Sequence, residues 1–207
     1  MKQKTLLLTG FEPFNGCAEN PSWLCVSAMA DEIAGVRMVK ALLPVAWEKG
    51  VQELNRLIDR YRPDGVLSFG LAGGRDSISI ERVAVNLREA GIPDNEGVIR
   101  SGEPVIPGGP DGYFTLLPYE KIKAALEQAG LPASYSFSAG AYLCNSVMYA
   151  ALYRAHTDLP SLMAGFVHIP YMSGQSETAF SMSLADLSKA ASICCCTLCE
   201  NIAAQGD

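Results

Sequence analysis

A chain of 207 residues with 49% hydrophobic and 18% charged side chains holds enough apolar material to bury about 70% of its unfolded surface, which excludes an intrinsically disordered protein. A formal net charge of −6 without clustered Lys and Arg excludes the electrostatic footprint of a nucleic-acid partner. No run reaches the roughly 18 apolar residues of a membrane span, and seven unevenly spaced cysteines do not make a secreted disulfide framework, so a reducing cytoplasm is expected.

The whole chain, 1–207, is expected to form a single α/β domain. Lys2 and Lys4 precede Leu6-Leu7-Leu8 in the manner of a signal peptide, but the run stops at Thr9-Gly10, short of the roughly 7–15 apolar residues required. Thr5–Leu8 is instead expected as a buried first strand. Asn20-Pro21-Ser22 marks a helix start, with Asn capping and Pro first, and Trp23, Leu24, Ser27, Ala28 and Ile33 are assigned to that helix. Val36–Leu43 follows as a strand, and Val51, Leu54, Leu57 and Ile58 recur at helical spacing before Pro63. Gly65–Phe69 is a short apolar strand running into the glycine loop Gly70–Arg75.

Ser77–Val85 alternates like one strand, with Glu81 on the parity of Val83 and Val85 and therefore a candidate for burial. Residues 86–113 are rich in glycine and proline and are expected as a long irregular excursion, a common carrier of function. A helix over about Pro118–Ala129, a strand near Tyr135–Phe137, a helix from Cys144 to about Ala155, a strand ending at His168 and a final helix from Ser183 complete the order. Alternation with near-continuous apolar strands predicts a three-layer α/β/α fold around a mostly parallel, twisted sheet. Ligands of such sheets bind beyond the carboxyl ends of strands. Cys144, His168 and Gly70–Arg75 would converge there.

Cysteine catalysis needs a thiolate, a base and commonly a group that orients the base. Cys144 is placed at a helix start, where free N–H groups and the helix dipole lower a thiol pKa and offer donors to an oxyanion. His168 is the candidate base and Glu81 the candidate orienting group. His156, in the polar helix end Arg154-Ala155-His156-Thr157-Asp158, is the competitor and is expected at the surface. Phe11 and Phe14 flank Glu12-Pro13 beyond the first strand, where two rings suit either a small flat ligand or the core. The tail Cys194-Cys195-Cys196-Thr197-Leu198-Cys199 has C-x-x-C spacing but no second pair or nearby histidine, so neither metal nor cofactor is expected.

Seven blocks occur together in order: Gly10-Phe11-Glu12-Pro13-Phe14, Asn20-Pro21-Ser22, Gly70–Arg75, Glu81-Arg82-Val83-Ala84-Val85-Asn86, Ile92-Pro93-Asp94-Asn95, Ser138–Asn145 and His168-Ile169-Pro170-Tyr171. In these blocks the chain resembles the pyrrolidone-carboxylate peptidase, or pyroglutamyl-peptidase I, family. The resemblance implies a cytosolic cysteine peptidase, a homo-oligomer of tetramer type, that removes an N-terminal pyroglutamyl residue from peptides through an acyl-thioester. It makes Cys144 the nucleophile, His168 the base and then acid, and Glu81 the group that fixes the imidazole. Phe11 and Phe14 would form the aromatic side of the substrate pocket, with Asn20 and the backbone at Leu71 around the lactam. Two positions depart from the family pattern, Leu71 where members commonly have Gln and Gly91 where they commonly have Arg. The alternatives are a nucleoside phosphorylase or hydrolase, which would not need Cys144, and a non-catalytic small-molecule-binding relative of the peptidase.

Overall fold

The computed structural model describes residues 3–205. Met1 and Lys2, the start of the signal-like stretch, lie outside the described residues. In chain order the elements are β1 (Thr5–Phe11), α1 (Pro21–Ser27), β2 (Glu32–Ile33), β3 (Val36–Leu43), α2 (Trp47–Tyr61), β4 (Gly65–Leu71), β5 (Ile78–Glu81), β6 (Val83–Val85), β7 (Gly112–Phe114), α3 (Tyr119–Gln128), β8 (Ala133–Ser136), α4 (Leu143–Thr157), β9 (Met163–Ile169), β10 (Tyr171–Met172), β11 (Ser181–Met182) and α5 (Leu184–Ala204). Seven strands form the central sheet in the order β2-β3-β1-β4-β9-β5-β8.

Every residue of β1, β4 and β9 is buried, as expected of parallel strands covered on both faces. Leu6, Leu8, Leu67, Phe69, Val167 and Ile169 point into one core with α1, α3 and α5. Leu7, Phe11, Val66, Ala164 and Phe166 point into a second core with α2 and α4. The sheet is thus the middle of three layers, as the alternating pattern predicted. The cysteine tail lies on α5, where Cys194, Cys195 and Cys199 are fully buried core residues.

Two local expectations need correction. The first helix ends at Ser27, and Ile33 belongs to β2. Ala34 and Gly35, both at positive φ (49° and 77°), form the two-residue link between paired β2 and β3, a geometry that hairpins favour and a helix cannot contain. The run Ser77–Val85 is two strands rather than one. The Arg82 N–H donates to the Ser136 carbonyl (2.7 Å) and its carbonyl accepts from Thr115 (2.9 Å), so β5 ends in the main sheet and β6 pairs with β7 in a separate ribbon. Within the mostly parallel sheet, as expected, β5 runs antiparallel to β9. Residues 72–77 join β4 to β5 without a helix, too short for the crossover that parallel pairing needs.

The 86–113 excursion has little regular structure, as expected, and is fastened by side chains. Asn145 at the start of α4 accepts from Val85 N–H (2.9 Å) and donates to the Val85 and Leu87 carbonyls (2.9 and 3.0 Å). Buried Asp94 accepts from the Trp47, Glu96 and Val98 N–H groups, each at 2.9 Å. It thereby caps α2, whose own N-cap residue Ala46 has no side-chain acceptor.

Candidate active site

Strand parity brings two of the sequence-predicted catalytic residues to one place. Val66, Ser68 and Gly70 alternate onto the α4 face of β4, and Ala164, Phe166 and His168 onto the same face of β9. Gly70 and His168 are direct neighbours in the parallel pairing, while Ser79 faces His168 across the antiparallel pair. Glu81, two residues beyond Ser79, is therefore the diagonal neighbour of His168 on that face. The His168 Nδ1–H donates to Glu81 Oε1 at 2.7 Å, with both side chains buried. A carboxylate is an acceptor only, so this bond assigns the proton to Nδ1 and leaves the Nε2 lone pair free for chemistry.

The third residue arrives from α4. Cys144 is the second residue of that helix, whose N-cap Tyr142 makes no side-chain cap bond and whose first turn contains no acidic residue. Its leading N–H groups therefore keep donor capacity for a ligand. A Cβ built on Gly70 would lie 3.0 Å from Cys144 Sγ and 2.7 Å from Phe166 Cζ, so the sulfur rests over the glycine that neighbours His168. The loop ahead of the helix is tied by Glu89 N–H to the Ala141 carbonyl (2.9 Å) and by Arg75 Nη2 to the Ser138 carbonyl (3.0 Å).

Electrostatics set the resting protonation. Burial works to raise the Glu81 carboxyl, but the His168 bond, the Ser136 hydroxyl and the Arg75 guanidinium outweigh it and hold it below its usual range. Burial lowers the His168 imidazole below its ordinary 6.5, with Arg75 acting the same way against the pull of Glu81. Burial and the Glu81 charge push the Cys144 thiol up to about 12, against Arg75 and its own backbone N–H. Burial beside a carboxylate thus works against the help expected from the helix start. These directions favour a neutral thiol beside a neutral imidazole at rest.

A small cavity of about 50 Å³ opens beside the sulfur, lined by Phe11, Phe14, Asn20, Val45, Leu71, Tyr142, Leu143 and Cys144. All four residues expected around a ligand are in this wall. Phe11 serves both expected roles, buried in the core and facing the cavity, whereas Phe14 is half-buried. The Asn20 amide is largely committed: its oxygen accepts from the Ser22 N–H (3.1 Å) and hydroxyl (2.8 Å), and its nitrogen donates to the Glu12 carbonyl (3.0 Å). Val45, Tyr142 and Leu143 escaped the sequence reading because apolar residues at a strand end or helix start look like core. The Tyr142 hydroxyl donates to the Pro93 carbonyl (3.1 Å), which ties the excursion to the cavity wall.

His156 is exposed at the opposite end of α4, its ring stacked on Tyr113 (4.5 Å between centroids), roughly 18 Å along the helix from Cys144. It takes no part in the site. Among the described residues no group of His, Cys, Asp or Glu is arranged to hold a metal ion, and no helix is long and apolar enough to cross a membrane.

Comparison with known proteins settles the family. A family model described as pyroglutamyl peptidase, peptidase C15, matches residues 4–203. The chain belongs to the pyroglutamyl peptidase family. A pyrrolidone-carboxylate peptidase of Thermococcus onnurineus is 45% identical over 172 residues, covering 83% of this chain and 86% of the relative. One from Thermococcus kodakarensis is 41% identical over 204 residues, covering 97% and 98%. The crystal structure of pyroglutamyl peptidase I from Bacillus amyloliquefaciens superposes with a TM-score of 0.91 at 37% identity, covering 97% of this chain and 98% of that one. The α/β fold is that of the pyroglutamyl peptidases, and nothing in these relatives favours the nucleoside enzyme. At the two departures from the family pattern, Leu71 fills part of the cavity wall, and Gly91 is exposed with nothing within 4 Å of a Cβ built there.

Proposed function

We propose that the chain is a cysteine exopeptidase that cleaves the bond between an N-terminal pyroglutamyl residue and the rest of a peptide. The observation that carries this, in a chain of this family, is Cys144 Sγ resting over Gly70 beside the His168–Glu81 pair, at the edge of a small apolar cavity. No lining residue carries a charge at neutral pH apart from what Cys144 acquires. A neutral lactam suits such a wall, whereas the ammonium of an open-chain N-terminus would be desolvated there without a counter-charge.

His168 Nε2 takes the Cys144 proton as the sulfur attacks the pyroglutamyl carbonyl, forming a C–S bond and moving the carbonyl electron pair onto oxygen. The N–H groups at the start of α4 receive that oxyanion, each such donor contributing on the order of 10²–10³ in rate. Glu81 stabilises the transient imidazolium. Collapse breaks the C–N bond, and the imidazolium gives its proton to the departing amine, leaving an acyl-thioester. Water, deprotonated by His168, then attacks the thioester; the C–S bond breaks, the proton returns to sulfur and pyroglutamate leaves.

The seven free cysteines support a reducing, cytoplasmic setting. Large apolar side chains left exposed, among them Phe114 and Phe137, support a homo-oligomer, for which the tetramer rests on the family resemblance. The deciding test is release of fluorophore from a pyroglutamyl amide under reducing conditions by wild type and Cys144→Ser. Release from wild type that falls by about a thousandfold or more in the variant is expected. An inactive wild type, or a variant as active as wild type, refutes the assignment; binding of pyroglutamate without turnover would point to a non-catalytic relative.

A further inference from the structure

Glu81 Oε1 meets two partners at once, accepting from the His168 Nδ1–H and ion-pairing with the Arg75 guanidinium. His168 Nδ1 reaches it at 2.7 Å and Arg75 Nη1 at 2.9 Å. The other arm of the same guanidinium, Nη2, donates to the Ser138 carbonyl at 3.0 Å, in the loop that leads into Cys144. One rigid, planar fork therefore joins the glycine loop, the buried carboxylate on β5 and the segment that delivers the sulfur. Given that the chain is the peptidase argued above, we propose that Arg75 is a positioning residue of the reaction, fixing Glu81 and the Cys144 loop relative to His168 and placing a permanent positive charge on the oxygen that His168 also bonds.

The permanent charge decides how the carboxylate and imidazole share a proton. A buried carboxylate alone draws a proton onto a hydrogen-bonded histidine, and an imidazolium at rest has no lone pair to accept the Cys144 proton. Arg75 already supplies a counter-charge to Oε1, so a second positive charge on His168 is disfavoured and the imidazole rests as a base. The charged and titratable groups facing His168 are Glu81 on β5, Arg75 on the preceding loop and Cys144 on α4; Asp76, next to Arg75, is exposed and accepts from Ser77 Oγ instead.

The fork also governs Ser136, which is paired with Glu81 in the β5–β8 register. The Ser136 hydroxyl has one proton. Donated to the Ser138 carbonyl (3.1 Å), it leaves the buried Glu81 Oε2 without a partner among the described residues; turned to Glu81, it supports the carboxylate. Because Arg75 satisfies the Ser138 carbonyl independently, Ser136 is free to make that turn when His168 becomes charged.

The test compares pH profiles of kcat and kcat/KM for wild type, Arg75→Gln and Arg75→Lys on a pyroglutamyl amide, with calorimetric titration of pyroglutamate as an independent measure of the pocket. For Arg75→Gln the expected result is a fall in kcat of roughly ten- to hundredfold, with KM and pyroglutamate affinity within about threefold. Its acid limb should move up by roughly one pH unit, allowing for screening at a side chain that is 27% exposed. Arg75→Lys keeps the charge and should hold the wild-type acid limb, but a single ammonium does not bridge both oxygens, so kcat should recover only in part. Arg75→Gln with wild-type kcat and acid limb, or a fall in kcat with an unmoved limb, overturns the proposal. If Arg75→Gln does not fold, Arg75→Lys decides: unchanged kcat overturns it, reduced kcat with the limb retained supports it. An inactive wild type would remove the peptidase itself, an outcome distinct from an active wild type indifferent to Arg75.

Discussion

Replacing Gly70 by alanine adds one methyl group at the point where the sulfur, the base and the sheet meet. That methyl carbon would lie 2.7 Å from Phe166 Cζ and 3.0 Å from Cys144 Sγ. Restoring ordinary contact at 3.4 Å requires about 0.7 Å of movement by the ring and about 0.4 Å by the sulfur. The two cannot both yield without consequence. The Phe166 ring packs on the His168 imidazole, with centroids 4.7 Å apart, so displacing it pushes the base away from its Glu81 bond. Overpacking of this size costs about 1–3 kcal/mol in stability, or about 2–12 °C in Tm for a chain of this length. The catalytic loss should be larger in proportion, because misplacement of reacting groups by about 1 Å is worth roughly a hundredfold. We expect Gly70→Ala to remain folded, to bind pyroglutamate within a few-fold of wild type, and to lose roughly ten- to hundredfold in kcat on a pyroglutamyl amide. Thermal unfolding, calorimetry and steady-state kinetics on one preparation supply all three values. Wild-type kcat in a folded Gly70→Ala protein would refute the placement of Cys144 over Gly70 beside His168.

Three further outcomes follow from the structure. With the thiol pushed up to about 12, inactivation by iodoacetamide in the absence of substrate should rise about tenfold per pH unit through pH 9 without a plateau; a plateau near neutrality would reveal a preformed thiolate–imidazolium pair instead. In the acid direction, His168 rests neutral with a folded-state pKa below its ordinary 6.5, so the unfolded chain binds the proton first and this contribution to stability, complete above about 6.5, is lost as pH falls towards the folded value. The denaturation midpoint and kcat/KM should both decline below pH 6.5, and an acid limb above that value would contradict a neutral buried imidazole. Asp94→Ala strips the acceptor from three N–H groups, one of them at the start of α2, and should cost about 1–3 kcal/mol. It should also raise KM through the loosened Pro93–Tyr142 contact, and an unchanged Tm would show that the cap is dispensable.

Residues 5–8 and 65–69 could be assigned as strands from the sequence because their apolar runs are nearly continuous, 36–43 because its apolar residues end at Pro44, and Asn20-Pro21 and Ser183 could be assigned as helix starts because capping is local chemistry. Ser183 does accept from the Asp186 N–H at 3.0 Å. The identities of Cys144, His168 and Glu81 were legible too, two from their positions at element ends and all three from the flanking blocks. Their meeting was not, since Glu81 and His168 are 87 residues apart and become diagonal neighbours only because β9 inserts between β4 and an antiparallel β5. The break at Arg82 was hidden because alternation continues through it while the hydrogen-bond partners change. Arg75 stands at the end of a glycine loop, and no local pattern announces a contact with a carboxylate on another strand. The protonation state of Cys144 is the clearest division between the two levels. Sequence determines that the thiol begins a helix, which favours thiolate, but the charge it carries depends on burial and on Glu81, and both exist only once the chain has folded around it.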